Sequence, residues 1–306
     1  MRDLNTLTLH EAWSEVCRTG LVTRLLELAR DEDLGSQGIA GDITSATLIP
    51  RGASLRASLV ARDTGVIAGL GCVALAIDVF KADAHWSPVL EDGVRATAGA
   101  SLGVLEGEAR HVLALERTIL NLVGRLSGVA TMASAFVNAV QGSCARIYDT
   151  RKTTAGMRLL EKHAVRSGGA MAHRVGLYDA VLIKDNHLAG LALDEMADRV
   201  REASSKGRAA GARFVEVEVD SIDQLDRLLA LEHGVLDVIL LDNFSLDSLR
   251  EAVSRRNRAK TPVELEASGG VRLDTVGAIA QTGVERISAG AITHSARTLD
   301  VALDAV

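Results

Sequence analysis

Ile147-Tyr148-Asp149-Thr150-Arg151-Lys152-Thr153 and Val181-Leu182-Ile183-Lys184-Asp185-Asn186-His187 decide the fold. In each, a short apolar run ends abruptly in charged and hydrogen-bonding residues. The form returns four times downstream. Val215–Val219 carries Glu216 and Glu218 two apart, hence on one side of a pleat. Ile239-Leu240-Leu241 delivers Asp242-Asn243, Leu265 leads to Glu266-Ala267-Ser268-Gly269-Gly270, and Ile287 leads to Ser288-Ala289-Gly290. These runs predict strands over 145–148, 180–183, 213–219, 238–241, 263–266 and 286–288. Helical patterns over 193–204, 222–231 and 246–257 separate them. Strand and helix alternating at this spacing predict a parallel sheet, most simply an α/β barrel. The carboxyl ends of barrel strands form one rim, and barrel sites lie there.

Upstream the rhythm differs. Residues 11–30 predict one amphipathic helix. Short alternating runs over 54–61, 65–68 and 96–98, with a helix over 72–80, predict an α+β domain with an antiparallel sheet. A helical stripe from 105 to 140 uses Val112, Leu115, Ile119, Leu122, Val123 and Leu126. Gly124 and Ser127-Gly128 interrupt it, so two helices are expected to meet near 127, at a domain boundary.

The 306 residues carry 34 Lys plus Arg against 40 Asp plus Glu, a net charge of −6. That balance argues against a general nucleic-acid binder. The span 149–187 holds seven Lys or Arg against four Asp or Glu, so a local +3 sits inside a remainder of −9. With no uninterrupted apolar stretch of about 18 residues, no membrane span is expected. The first dozen residues lack the apolar core of a secretory signal. Cys17, Cys72 and Cys144 are far apart and form no CxxC, so thiols are expected rather than a disulfide framework. A cytoplasmic enzyme fits these readings.

The rim residues divide by chemistry. Arg151, Lys152, Arg174 and Lys184, with His173, suit a substrate bearing several carboxylates or phosphates, which Arg grips bidentately and Lys meets as a point charge. Arg158, Lys162 and Arg166 lie at helical spacing and read as a solvated face. Glu218 and Asp242 fit either a structural pairing with a barrel cation or a hold on Mg²⁺ or sugar hydroxyls. Ser268-Gly269-Gly270 and Ser288-Ala289-Gly290 leave backbone N–H groups open to a phosphate. His163, His187 and His294 have no HxH or HExxH spacing, so zinc is not expected.

Taken in order, Glu116-Arg117-Thr118, Asp149–Thr154, Glu161-Lys162-His163-Ala164-Val165, His173–Asp179, Ile183–His187, Glu216–Val219, Leu240–Phe244, Glu266–Gly270 and Gly290–Ser295 closely resemble the quinolinate phosphoribosyltransferase family. Glu32–Gly35, Gly41–Ser45 and Leu126–Thr131 extend the likeness to nearly the whole chain. The resemblance implies an N-terminal α/β sandwich (1–127) and an incomplete, about seven-stranded α/β barrel (128–291), with a tail (292–306) returning to the sandwich. It implies a homodimer with a shared active site, which Arg117 enters from the partner. The implied reaction joins quinolinate to phosphoribosyl pyrophosphate, with Mg²⁺, giving nicotinate mononucleotide, pyrophosphate and CO₂ in NAD biosynthesis.

By the same resemblance Arg117, Arg151 and Arg174 clamp the quinolinate carboxylates, with Thr150 and His173 beside them. Lys152 and Lys184 bridge substrate and pyrophosphate charge. Glu218 and Asp242 are the ribose and Mg²⁺ carboxylates, the metal held directly or through water. Ser268, Gly269, Gly270, Gly290 and His294 form the phosphate region. The chain departs from the family pattern at Ala155, usually Pro, and at Gly169-Ala170-Met171-Ala172, usually a Gly-rich run ending in Asn. The alternatives are a related transferase-fold protein found beside molybdenum transport, with another acid substrate, and a non-catalytic binder of small anions. The intact Lys184–His187 and Leu177-Tyr178-Asp179 motifs argue against the former.

Overall fold

The computed structural model describes residues 1–188 and 190–306. The chain forms two compact units. One is Met1–Ser134 with Thr153–Gly169 and Ile292–Val306; the other is Ala135–Lys152 with Ala170–Ala291. In chain order, α1 (Leu9–Cys17), α2 (Leu21–Leu34) and α3 (Ile43–Leu48) precede β1 (Ser54–Ala61), β2 (Gly65–Val66), α4 (Gly71–Phe80), β3 (Ala84–Pro88), β4 (Arg95–Ala96), β5 (Ser101–Glu108) and α5 (Ala109–Ala139). Then come β6 (Arg146–Tyr148), α6 (Arg158–Ser167), β7 (Val181–Ile183), α7 (Asp185–Leu188), α8 (Leu193–Ala209), β8 (Val215–Val219) and α9 (Ile222–Leu229). The chain closes with β9 (Val238–Asp242), α10 (Leu246–Ala259), β10 (Glu264–Ser268), α11 (Val276–Ala280), β11 (Arg286–Ser288), α12 (Ala291–His294) and β12 (Val301–Ala305).

The first unit holds a four-stranded antiparallel sheet in the order β12-β1-β5-β3. The C-terminal strand β12 pairs along β1, Leu59 opposite Leu303. Two elements differ from the sequence expectation. Residues 11–30 are two helices, because Gly20 adopts φ +70°, a left-handed turn that starts α2 afresh. Residues 101–108, partly assigned to the long helix, form β5, and β3 pairs beside it. The pattern of β3, Ala-His-Trp-Ser-Pro, is that of a sheet edge, where a terminal Pro is tolerated.

The helix break expected near 127 is absent, since α5 is continuous from Ala109 to Ala139. Its small residues serve packing instead. A Cβ on Gly128 would lie 2.0 Å from the Arg297 carbonyl oxygen, so only glycine lets the returning tail approach the helix. The Ser127 hydroxyl accepts the Ala68 N–H at 3.0 Å. By length and composition α5 is able to cross a bilayer, yet 67% of its most apolar window is buried inside the protein. Helix α6 corrects another expectation. It buries Leu159 through Val165 and Ser167, Lys162 included, and is no solvated face.

The second unit holds the predicted parallel sheet, in the order β6-β11-β10-β9-β8-β7. Beyond β6 a parallel bridge joins Tyr148 to Met171. Met171 N–H donates to the Ile147 carbonyl at 2.8 Å, and its own carbonyl accepts the Asp149 N–H at 3.1 Å. In chain order the positions are therefore β6, Met171, β7, β8, β9, β10 and β11, with β11 pairing back onto β6. Among the described residues this is a seven-position barrel whose end positions are Met171 and β7. Even-numbered residues of the strands point inward, Leu182, Glu216, Leu240, Glu266 and Ser288 among them. Odd-numbered Val217, Ile239, Leu241, Leu265 and Ile287 are fully buried on the outer face.

Candidate functional site

A cavity of about 580 Å³ opens at the carboxyl ends of the barrel strands. Thr150, Arg151, Lys152, His173, Arg174, Lys184, Glu218, Asp242, Ser268, Gly269 and Gly270 all line it. Eleven of the expected site residues thus line one cavity, drawn from strands far apart in sequence. Gly290, His294 and Arg117 are not among the lining residues. Gly290 follows Ser288, which is. His294 belongs to the first unit, where its Nδ1 pairs with the Ser295 hydroxyl at 2.8 Å. Arg117 is an exposed residue of α5.

Local hydrogen bonds explain the placement. Asp149, fully buried, accepts the His173 N–H at 2.7 Å and ties the segment after Met171 to the end of β6. The Thr150 hydroxyl accepts the Lys152 N–H at 3.0 Å, turning the chain so that Arg151 and Lys152 reach the rim. The departure at 170–172 is accommodated here: Ala170 and Ala172 are buried and Met171 carries the bridge. The departure at 155 is accommodated in the first unit. Thr154 gives its N–H and its hydroxyl to Glu161, at 3.0 and 2.8 Å, and so holds the turn without a proline.

Loop 175–179 is pinned by Asp179, which accepts the N–H groups of Val175 and Gly176, each at 2.9 Å, and the Arg213 guanidinium at 2.7 Å. Burial pushes the Asp179 carboxyl up, but these donors prevail and hold it below the usual carboxylate range. Lys184 gives its ammonium to Glu218, and its N–H donates to His187 Nδ1 at 2.8 Å. His187 is therefore a turn cap. Asp242 accepts the Asn243 amide at 2.8 Å.

Arg174 is 7% exposed. Burial pushes its guanidinium down from the ordinary value, and Arg151 nearby pushes the same way. Glu216 and Asp179 push it back up without prevailing, so an anion in the cavity would meet a favourable charge there. His173 points the other way, into the barrel. Its Nδ1 accepts the Arg174 N–H at 2.8 Å, and its Nε2 lies 3.1 Å from Glu216 and 3.3 Å from Glu266. Burial works against a charged imidazole, and the two carboxylates outweigh it and raise its pKa; the accepting Nδ1 opposes a second ring proton.

His173, Glu216 and Glu266 are close enough to hold a metal ion. Arg286 already serves that cluster. It donates to Glu266 at 2.7 Å, and its guanidinium carbon lies 3.9 Å from the centre of the Tyr148 ring. The set therefore reads as an internal ion network. Glu218 and Asp242 fit Mg²⁺ better: both are oxygen donors on the cavity wall, and Mg²⁺ takes one or two carboxylates plus phosphates and water.

Asn243, Glu266, Ser288, Leu182 and Leu240 also line the cavity and were not singled out as site residues. For Asn243 a signal existed: it follows a strand-ending Asp and adopts φ +55°, a conformation Asn tolerates. It also explains a glycine. A Cβ on Gly269 would lie 2.2 Å from the Asn243 side-chain oxygen, and Gly269 itself has φ +91°. Asp242-Asn243 and Ser268-Gly269 thus lock together across adjacent strands.

Comparison with known proteins shows the family. Residues 42–127 match the family model for the quinolinate phosphoribosyl transferase N-terminal domain, and residues 129–304 match that for the C-terminal domain. The nicotinate-nucleotide pyrophosphorylase [carboxylating] of Mycobacterium leprae is 45% identical over 266 residues, 86% of this chain and 90% of that one. A probable enzyme of the same name from Bacillus subtilis is 37% identical over 277 residues, 89% of each. The solved structure of the nicotinate-nucleotide pyrophosphorylase from Francisella tularensis superposes with a TM-score of 0.84 at 32% identity, covering 100% of both chains.

Proposed function

The chain belongs to the quinolinate phosphoribosyl transferase family, and from that premise we propose how its cavity performs the family's reaction. The activity is nicotinate-nucleotide pyrophosphorylase (carboxylating): phosphoribosyl passes from phosphoribosyl pyrophosphate to quinolinate, with loss of CO₂, in NAD biosynthesis. The observation that carries the site assignment is that Arg151 and Arg174 line the same cavity as Glu218, Asp242 and the Ser268-Gly269-Gly270 turn.

Arg174, buried and crowded by Arg151, takes a quinolinate carboxylate, with Arg151 and the partner's Arg117 completing the clamp. His173 holds the strand end that aims Arg174, because its ring nitrogen is bonded to the Arg174 backbone. Departure of pyrophosphate builds negative charge on the leaving group and positive charge at the anomeric carbon. Lys152 and Lys184 stabilise the former and Glu218 and Asp242 the latter. Glu218 also orients Lys184 through their ion pair. Ser268, Gly269, Gly270, Gly290 and His294 receive the phosphates. Glu218 and Asp242 would hold Mg²⁺, directly or through water, and the ion would supply neutralisation of the pyrophosphate charge. Desolvation of the quinolinate carboxylate next to the ring nitrogen favours its loss as CO₂.

A homodimer with the site shared between subunits completes the clamp, and a reducing compartment such as the cytoplasm suits the three free thiols. The test is incubation with quinolinate, phosphoribosyl pyrophosphate and Mg²⁺. Release of labelled CO₂ with stoichiometric pyrophosphate is expected. Absence of both defeats the reading and leaves the non-catalytic anion binder.

A further inference from the structure

A second cavity, of about 490 Å³, lies in the first unit, walled by α1, α4, β3 and α6. Its chemistry is unlike that of the barrel site. No Arg or Lys is among its described lining residues, and Glu91 and Asp92 bring carboxylates to the wall beside His10, so it does not suit a carboxylate or phosphate. Instead the chain's two tryptophans, Trp13 and Trp86, both line it. Each is seated against a glycine. A Cβ on Gly71 would come within 2.4 Å of the Trp13 ring, and one on Gly103 within 2.2 Å of the Trp86 ring. In a chain this poor in aromatics, the rings are built into the wall.

The same wall holds a polar group with an unmet need. His163 is 1% exposed, and its Nε2 lies 2.8 Å from Asp92 Oδ2. Asp92 is itself fixed, accepting the N–H groups of Gly69 at 2.9 Å and Leu70 at 3.0 Å. A carboxylate engaged by three donors only accepts, so Nε2 carries a proton, and in that tautomer Nδ1 is an acceptor. That Nδ1 is buried and has no hydrogen-bond partner. The Trp13 ring stands 5.3 Å from the imidazole, tilted by 59°. A buried acceptor without a donor is costly and uncommon in native proteins.

We propose that this cavity is a ligand site for a neutral, flat nitrogen heterocycle, which stacks against the tryptophans and donates a ring or amino N–H to His163 Nδ1. The size is that of a small-molecule pocket, and apolar and aromatic side chains with a few placed polar groups, here His10, Glu91, Asp92 and His163, are the usual composition of such a site. Asp92 acts through His163, holding the tautomer that can accept.

Adenine is a suitable probe, because it is flat, uncharged and carries N–H donors. With both tryptophans in the wall, intrinsic fluorescence of the full-length protein excited at the red edge of tryptophan absorption reads this cavity alone. Saturable quenching by adenine is expected. The permethylated analogue keeps the ring system but has no N–H, and should bind at least about tenfold more weakly. Ala74→Phe fills the cavity from an exposed position on α4. It leaves the His163–Asp92 pair intact, and it should abolish the quenching while phosphoribosyl transfer continues. No saturable quenching up to millimolar adenine overturns the proposal. So does equal quenching by the analogue, or quenching that survives Ala74→Phe.

Discussion

Arg174 is where an anion would meet a favourable charge, because burial and Arg151 act on it in the same direction and Glu216 and Asp179 do not prevail over them. Removing its guanidinium forfeits charge-assisted hydrogen bonds of about 1.5–3 kcal/mol, or roughly 10- to 100-fold in affinity. Arg174→Ala should therefore raise KM for quinolinate by that factor while KM for phosphoribosyl pyrophosphate moves little. Arg174→Lys should recover only part of the loss, since an ammonium lacks the bidentate fork. Steady-state kinetics with each substrate varied in turn decide this, and an equal rise in both KM values counts against the clamp. Gly269 is the matching test of the phosphate wall. Gly269→Ala places a methyl group against the Asn243 side chain at a backbone angle that disfavours it. KM for phosphoribosyl pyrophosphate should rise, with the circular dichroism spectrum unchanged. Glu218 shows how far residue type alone carries the reading. Its spacing from Glu216 predicts one face for both, and both do face inward. Depth separates their work: Glu216 is wholly buried beside His173, and Glu218 reaches the rim and Lys184.

Elements were legible where periodicity is strong and local. The six barrel strands fall at the expected positions, because each is a continuous apolar run bounded by polar residues, with helices between. Elements decided by distant partners were not. The pattern of β3 is mostly exposed, and it exists because β5 lies beside it. The continuity of α5 through Gly124, Ser127 and Gly128 runs against helix propensity. It is settled by the tail from Arg297 to Leu299, which lies where side chains would otherwise stand. Gly128→Ala thus tests whether that glycine is a packing residue. Helix propensity alone favours alanine by up to about 1 kcal/mol, whereas a clash with a backbone carbonyl reverses the sign. A fall in Tm of several degrees is expected, and a rise would falsify the packing account. Helix α6 makes the same point for charge. Lys162 and Arg166 sit at helical spacing like a solvated face, yet the helix buries most of its length.

The assembled protein is tested through its subunits. If Arg117 completes the partner's site, neither Arg117→Ala nor Arg151→Ala alone has a whole site. Mixed dimers, however, contain one site carrying neither lesion. Co-refolded mixtures should regain about a quarter of wild-type activity by random pairing. Mixed dimers that form and stay as inactive as their parents exclude the shared clamp. The order of β and α, the placing of small and charged residues at the strand ends, and the cationic island inside an acidic chain are all local properties, so one sequence suffices to read them. Three features needed the folded chain. The seventh position of the barrel is taken by Met171, where the family pattern is broken, and a single backbone bridge leaves no periodic signature. His173 faces two buried carboxylates instead of solvent, because the inward direction of a barrel residue depends on every strand around it. The pocket of Trp13, Trp86 and His163 draws residues from positions up to 150 apart, and no local pattern records a wall whose parts meet only when α1, α4, β3 and α6 pack together.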